Sequence, residues 1–239
     1  MGGGVAPACR RLRVEILSEM IKTVELFAGS RSFSRVAALY GCDTFTVDWK
    51  PFEGIDLVAD IGTLDLRTKL PYAPDVIWAS PDCATYSRAA GRLHRIGGIP
   101  VTEYAEKCDE VNIHFLGQIE MLMIENPGTL YFIENPVGQF GKMPFLKGFL
   151  DRTGGHEERV CYCRYGHPYM KPTCIFTNSE TWRPRPMCFN DNPNCRHERA
   201  RRPSGGGVKK ANSKYDRSII PQLLMFEIVE SFLPSPDNE

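Results

Sequence analysis

Two short apolar runs, each ending in a reactive group, constrain this chain more than any other feature. Asp75 to Ser80 leads into Pro81, Asp82 and Cys83, and Tyr131, Phe132 and Ile133 lead into Glu134, Asn135 and Pro136. Runs of this length, rich in β-branched and aromatic residues, read as buried strands. The segment between them carries a helical period, and a strand, a crossover helix and a second strand make parallel neighbours. Parallel neighbours end at the same sheet edge, so the thiol and the carboxylate are expected side by side. In open α/β sheets that carboxyl edge is where ligands bind. A thiol beside an acid is equipped for nucleophilic attack coupled to proton transfer.

The rest of the chain extends the same winding. Lys22 to Phe27 reads as a first strand, followed by a tight turn through Ala28, Gly29 and Ser30. The helix after it carries Phe33, Val36, Ala37 and Tyr40 on one face and stops at Gly41. Thr44 to Val47, ending at Asp48, and Asp56 to Ala59, ending at Asp60, are expected as further strands. The crossover helix spans Thr102 to Met123, with Thr102 as N-cap and Tyr104, Cys108, Val111, Phe115, Ile119 and Leu122 as its buried stripe. Glu125, Asn126 and Pro127 read as a helix stop. Val160 to Tyr165 and Cys174 to Thr177 read as antiparallel strands, Trp182 to Met187 and Arg202 to Val208 as loop. A last helix near Pro221 buries Leu224, Ile228 and Phe232.

A chain of 239 residues with 42% apolar content holds one sizeable core and a small appendage. It contains no apolar run long enough to span a membrane, so no membrane partner is expected. The start, Met1-Gly2-Gly3-Gly4, has Ala6 where a myristoylation signal needs Ser or Thr, and no signal-peptide core follows. A cytoplasmic setting is therefore expected, with the nine cysteines as thiols, metal ligands or catalytic groups. The formal net charge is zero, but its distribution is uneven. From Arg159 to Arg217 thirteen Lys and Arg stand against four acids, which is +9, leaving −9 for the remainder. Such asymmetry fits contact with phosphates.

The turn after the first strand, with acids at the ends of the next two, suggests a nucleotide-like ligand. Asp48 and Asp60 can accept hydrogen bonds from ribose hydroxyls, and Trp49 offers an aromatic face to adenine. No Gly-rich loop with Lys-Ser or Lys-Thr is present, which argues against ATP. A ligand with ribose and adenine but without phosphates fits better.

Taken in order, these residues resemble the DNA cytosine-5 methyltransferase family, above all its compact, phage-type members with a reduced target-recognition region. Val24 to Gly29 looks like the family's cofactor loop, Asp48 and Trp49 its ribose and adenine clamp, and Asp60 and Ile61 its next adenine contact. Pro81, Asp82 and Cys83, followed by Tyr86 and Ser87, resemble the nucleophile loop, and Glu134, Asn135 and Pro136 the acid motif. Tyr165 to Pro168 resembles the segment opening the late catalytic strand, and Ile219 to Ile228 the closing helix. The resemblance implies a Rossmann-like S-adenosylmethionine-dependent α/β methyltransferase fold with a small, irregular basic insertion near the C-terminus, in a bacterial or phage-infected cell. It implies Phe27, Ala28, Gly29, Ser30, Asp48, Trp49, Asp60, Ile61 and Pro81 at the cofactor, and Cys83, Glu134 and Asn135 in catalysis. Ser87, Arg88, Lys171 and Thr173 would face DNA. Its domain plan is a flexible extension over 1–19, a catalytic domain over 20–178, a basic Cys/His segment over 179–216 and a helix over 217–239 that packs back.

The chain departs from the family at several points. Asp82 stands where a second proline is usual, and Lys171 and Thr173 stand where two arginines are usual. The cofactor loop lacks its Gly pair, and the penultimate Arg-rich motif is missing. Two other readings stay open: a non-catalytic module that binds S-adenosylmethionine or DNA, and an enzyme making another C5 modification or acting on cytosine nucleotides. An amino-methyltransferase is disfavoured, since no Asp-Pro-Pro-Tyr type tetrapeptide follows any strand. Only 38 residues separate Asn178 from Arg217, too few for an independent base-reading core. A short or relaxed recognition site, salt-dependent DNA binding and a protein partner for target selection are therefore expected. Within that segment Cys188, Cys195 and His197 form a zinc half-site that Cys161 or Cys163 would complete.

Overall fold

One sheet of seven strands organises the molecule. Its strands are β1 (Lys22–Leu26), β2 (Asp43–Asp48), β3 (Leu57–Val58), β4 (Val76–Ala79), β7 (Leu130–Pro136), β8 (His156–Cys161) and β9 (Pro172–Thr177), in the order β3-β2-β1-β4-β7-β9-β8. A two-stranded hairpin, β5 (Arg95–Ile96) with β6 (Ile99–Pro100), stands apart from it. The computed structural model describes residues 20–87, 91–197 and 219–234. The expected extension over 1–19, the loop over Arg202 to Val208, and Arg88, Arg199, Arg201, Arg202, Lys209, Lys210, Lys214 and Arg217 lie outside the described residues.

The parallel core arises as the two apolar runs require. Ile77 pairs with Tyr131 and Ala79 with Ile133 on one side of β4, and Val24 pairs with Ile77 on the other. Every residue of β4 is buried, as expected for a strand covered on both faces. From β1 the chain winds outward through β2 to β3, whereas β4 to β7 run the other way. The crevice between the carboxyl ends of β1 and β4 is therefore the topological switch point. Only β9 runs antiparallel within the main order, between β7 and β8.

Helices cover both faces: α1 (Ser32–Leu39), α2 (Leu66–Lys69), α3 (Gly91–His94), α4 (Glu103–Glu125), α5 (Pro144–Thr153) and α6 (Gln222–Phe232). Val24, Leu26, Ile77 and Ile133 pack with Phe115 and Ile119 of α4 and Phe149 of α5. Trp78, Phe132 and Ile175 pack with Phe33 of α1 and Leu224 and Ile228 of α6. Phe33 stacks on Trp78 with centroids 5.7 Å apart, and burial of side chains of this size contributes about 1.5–3 kcal/mol each. Among the described residues, no helix is long and apolar enough to cross a membrane.

Several boundaries differ from expectation. Tyr162 to Tyr165 forms a 3₁₀ turn rather than the end of a strand. The partner of Cys161 is Pro172, which has no N–H to carry the ladder further. Tyr40 lies beyond α1 as its C-cap, and its hydroxyl reaches Glu230 of α6 instead of the core. On α4 the buried stripe includes Ala105 and Asn112 in place of Tyr104 and Val111. The reason is polar: the Asn112 amide donates to the Tyr86 hydroxyl at 2.9 Å and to the Cys108 carbonyl, so a hydrophobic pattern passes over it. The third strand shrinks to two residues, and Phe232 is only half-buried, against Phe33.

Candidate active site

The turn after β1 is held from three sides. Ala28 donates to the Val47 carbonyl at 3.1 Å, and Gly29 donates to Asp48 Oδ2 at 3.0 Å. The other Asp48 oxygen accepts the Lys50 N–H at 2.8 Å, so this buried carboxylate ties the ends of β1 and β2 together. Phe27 and Arg31 both adopt φ of 56°, uncommon for residues with side chains. A Cβ at Gly29, where φ is 45°, would meet nothing nearer than the Phe27 carbonyl at 3.9 Å, so open space lies over this turn. Ser30 exchanges a hydrogen bond with Ser32. Trp49 is 65% exposed, with the Lys50 ammonium 4.6 Å from its ring centroid. Asp60 is exposed and accepts the Gly62 N–H, whereas Ile61 belongs to the core.

Beneath the turn lies Glu25, a buried acid that motif reading passes over. It accepts the Ser34 N–H at 2.8 Å, the Ser34 hydroxyl and, at 3.4 Å, the Phe33 N–H. Burial outweighs these bonds and pushes its carboxyl up to about 7. Folding thus takes up a proton between the ordinary value of 4.5 and about 7. The protonated acid contributes stability below pH 4.5 that is lost as pH rises through 7, about 3 kcal/mol in all. Urea titrations of the wild type and Glu25→Gln are expected to differ in stability by this pH-dependent amount. Parallel profiles would show that Glu25 folds with its ordinary affinity for protons.

At the ends of β4 and β7 the structure brings the thiol and the acid together. Cys83 is partly buried, and its thiol is pushed up to about 11, first by burial and then by the Glu134 charge, with Lys171 opposing. Glu134 is buried within β7 and accepts the Tyr162 hydroxyl at 2.6 Å; the Lys171 ammonium stands 3.8 Å from the same oxygen. That ammonium also lies 4.6 Å from the Tyr162 ring centroid. Thr173 is fully buried and shares a hydrogen bond with Tyr162. Asn135 donates to the Pro81 carbonyl at 3.3 Å, while its own carbonyl oxygen is buried without a partner. Such an atom is costly unless a ligand or water satisfies it. Tyr162 is a site residue that sequence reasoning missed, since no motif marks it.

A second layer fixes the loop that carries Cys83. The Arg95 guanidinium is buried and donates to Thr85 through both carbonyl and hydroxyl, and to Asp109 at 2.6 Å. Asp109 also accepts the Tyr86 hydroxyl. Asp82, exposed beside the thiol, accepts the Ala84 N–H at 2.8 Å and the Tyr104 hydroxyl. Ser87 is half-buried and bridges to Gly138, where a Cβ would come within 2.3 Å of the Tyr86 carbonyl. Glycine at 138 therefore lets the loop that carries Cys83 lie directly on the chain leaving β7. A separate hollow of about 370 Å³, lined by Glu120, Ile124 and Arg152 among others, lies where α4 ends and contains no thiol.

The segment after β9 is irregular as far as Cys195 and His197. Cys163, Cys188, Cys195 and His197 converge there, their donor atoms within 4.8 Å of one another. Of the two cysteines expected as a fourth member, Cys161 turns instead to the Cys188 carbonyl. Two of the basic side chains hold their own surroundings: Arg185 pairs with Glu227 at 2.6 Å and covers Tyr165, and Arg183 donates to the Trp182 carbonyl.

No family model matches the chain, and no curated protein matches it in sequence. Among solved structures, the Dnmt2 methyltransferase of S. pombe is similar at a TM-score of 0.50 and 14% identity, over 70% of this chain and 52% of that one. A Spodoptera frugiperda DNMT2 mutant aligns at a TM-score of 0.47 and 18% identity, over 68% of this chain and 51% of that one. This chain spans about half the length of the solved structures it matches. The shared property is the fold: a seven-stranded, mostly parallel sheet with helices on both faces, wound in the Rossmann-like manner.

Proposed function

We propose that this protein transfers a methyl group from S-adenosylmethionine to C5 of cytosine in DNA, through a covalent bond to Cys83. The observation that carries the reading is the meeting of Cys83 and Glu134 at the ends of adjacent parallel strands, next to the switch point of the sheet. The residues around that crevice suit the cofactor. The space over Gly29, the exposed Trp49 and the unpartnered Asn135 oxygen leave room, an aromatic face and an acceptor. Phe27, Ala28, Ser30, Asp48, Asp60, Ile61 and Pro81 would complete its surroundings.

Bound there, S-adenosylmethionine supplies an electrophilic methyl group. The chain's own residues do the rest. Cys83 adds as thiolate to C6 of a cytosine turned out of its stack, and the electron pair moves to C5. Glu134 hydrogen-bonds the N3 and N4 edge and supports a proton at N3, which makes the ring an acceptor. Once C5 carries the methyl group, loss of the C5 proton and departure of the Cys83 thiolate restore the ring. Lys171 and Thr173, beside Glu134, face the base, with Ser87 and Arg88 in the loop that meets DNA. On this reading residues 20–178 form the catalytic domain, the basic segment over 179–216 grips phosphates, and α6 (Gln222–Phe232), within the stretch 217–239, closes the fold. Binding is then strongly salt-dependent, the recognition site short, and a protein partner adds selectivity in a cytoplasmic setting.

Mass spectrometry of nucleosides from DNA incubated with the protein and labelled cofactor tests the reading. Labelled 5-methylcytosine is expected; a heavier C5 adduct, or label in free cytosine nucleotides alone, overturns it. The raised Cys83 thiol favours a second reading, a binding module without chemistry. DNA containing 5-fluorocytosine separates the two, because only an attacking Cys83 is trapped as a covalent adduct. For the cofactor, Asp48→Ala removes the group that holds Gly29 and is expected to weaken S-adenosylhomocysteine binding at least about tenfold by calorimetry, the effect of one hydrogen bond to a charged group. Equal affinity would move the cofactor away from β1.

A further inference from the structure

The four side chains beyond β8 have the chemistry and spacing of a metal centre. We propose that Cys163, Cys188, Cys195 and His197 bind one zinc ion as a closed, structural tetrahedral site, and that this ion fastens the basic segment to the turn that presents Tyr162. Zinc takes thiolate at about 2.3 Å and imidazole at about 2.0–2.1 Å, which sets the sulfur-to-nitrogen edge of a tetrahedron near 3.5 Å. His197 Nδ1 stands 3.5 Å from Cys188 Sγ and 3.2 Å from Cys195 Sγ. Cys163 shares hydrogen bonds with both Cys188 and Cys195, so the fourth donor closes the same polyhedron.

The surroundings support a ligand set better than a chance gathering of thiols. Three donors come from a stretch with no helix or strand, and the fourth comes from a separate 3₁₀ turn. The Asn192 amide donates to Cys188 Sγ at 3.4 Å, and backbone turns at Asn192 and Cys195 bring the later donors back toward it. Such hydrogen bonds to a ligating atom orient it. Three thiolates and one imidazole use all four positions, which leaves none for a catalytic water. A stretch this short gains stability from such a staple where its apolar core is small.

The consequence reaches the reaction site. Cys163 follows Tyr162 directly, and the Tyr162 hydroxyl holds Glu134 at 2.6 Å. Zinc therefore fixes the turn from which Tyr162 grips the acid. That second clause rests on the proposed methyltransferase reading; the metal site does not.

Metal analysis of the full-length protein, purified under reducing conditions and reconstituted with Zn²⁺, is expected to give about one zinc per chain. Cys195→Ser and His197→Ala are expected to lower that content at least about tenfold, whereas Cys161→Ser, whose sulfur lies on the Cys188 carbonyl outside the cluster, retains it. Replacement by Co²⁺ in the wild type is expected to give the ligand-field bands of a tetrahedral site with sulfur charge transfer, which needs no variant to fold. Less than about a tenth of a zinc per chain, or Co²⁺ spectra of an octahedral oxygen site, overturns the proposal. Metal content is read without turnover, so its failure is distinct from failure of the methyl-transfer reading.

Discussion

Cys83→Ala is expected to abolish methyl transfer while leaving the fold and S-adenosylhomocysteine binding nearly unchanged. The loop around Cys83 is held by groups other than the thiol: the Cys83 carbonyl accepts the Tyr86 and Ser87 N–H groups, and Arg95 grips Thr85. Alanine keeps all of these contacts. What it removes is the proposed nucleophile, without which C5 of cytosine would have no electron pair to offer. The loss should reach the detection limit of a single-turnover assay, several orders of magnitude. Retained turnover would end the covalent mechanism whatever the fold resembles.

The same thiol carries a signature in pH. With Cys83 held up to about 11 by burial, by Glu134 and by Asp82, its thiolate is a minor species at neutral pH. Alkylation of Cys83 by iodoacetamide, followed by peptide mass spectrometry, should therefore quicken about tenfold per pH unit up to about pH 10. A plateau at pH 8 would mean that another group already activates it. In the proposed mechanism bound DNA would change this balance, since a protonated N3 would place positive charge beside the thiolate as the bond to C6 forms.

How much of this was legible in the sequence depends on the range of the interaction. The parallel β4 and β7 were readable because each is a continuous apolar run, a local property that fixes burial on both faces. Thr102 and the stop at Asn126 were readable as caps, which depend on neighbours a few residues away. The buried stripe of α4 was misjudged because Asn112 is buried by hydrogen bonds with Tyr86, a partner 26 positions away. The strand over Tyr162 to Tyr165 was misjudged for a similar reason, since its end is set by Pro172 on another strand. At the candidate site, the placing of Cys83 beside Glu134 was readable because both lie at the ends of neighbouring parallel strands. Tyr162, Glu25 and Arg95 did not, because a buried tyrosine, acid or arginine acquires meaning only from what lies across the fold. Cys163 could be separated from Cys161 only by the turn that aims one sulfur at His197 and leaves the other on the Cys188 carbonyl.

Glu134→Gln separates acid assistance from electrostatics with two readouts of opposite sign. Glutamine keeps the shape and can still accept the Tyr162 hydroxyl, so the fold around β7 should survive. It cannot support a proton at N3 as the acid would in the proposed mechanism, and single-turnover methyl transfer is expected to fall by roughly 100- to 10,000-fold. Meanwhile the negative charge that raises the Cys83 thiol is gone, and the Lys171 ammonium, 3.8 Å from the former carboxylate, is left to favour thiolate. Alkylation of Cys83 should accordingly become faster in the variant at a fixed pH below 9, even as methyl transfer slows. A merely structural role for Glu134 would slow or preserve both together. An unchanged single-turnover rate would remove Glu134 from the chemistry, and unchanged alkylation would mean that its charge does not reach the thiol.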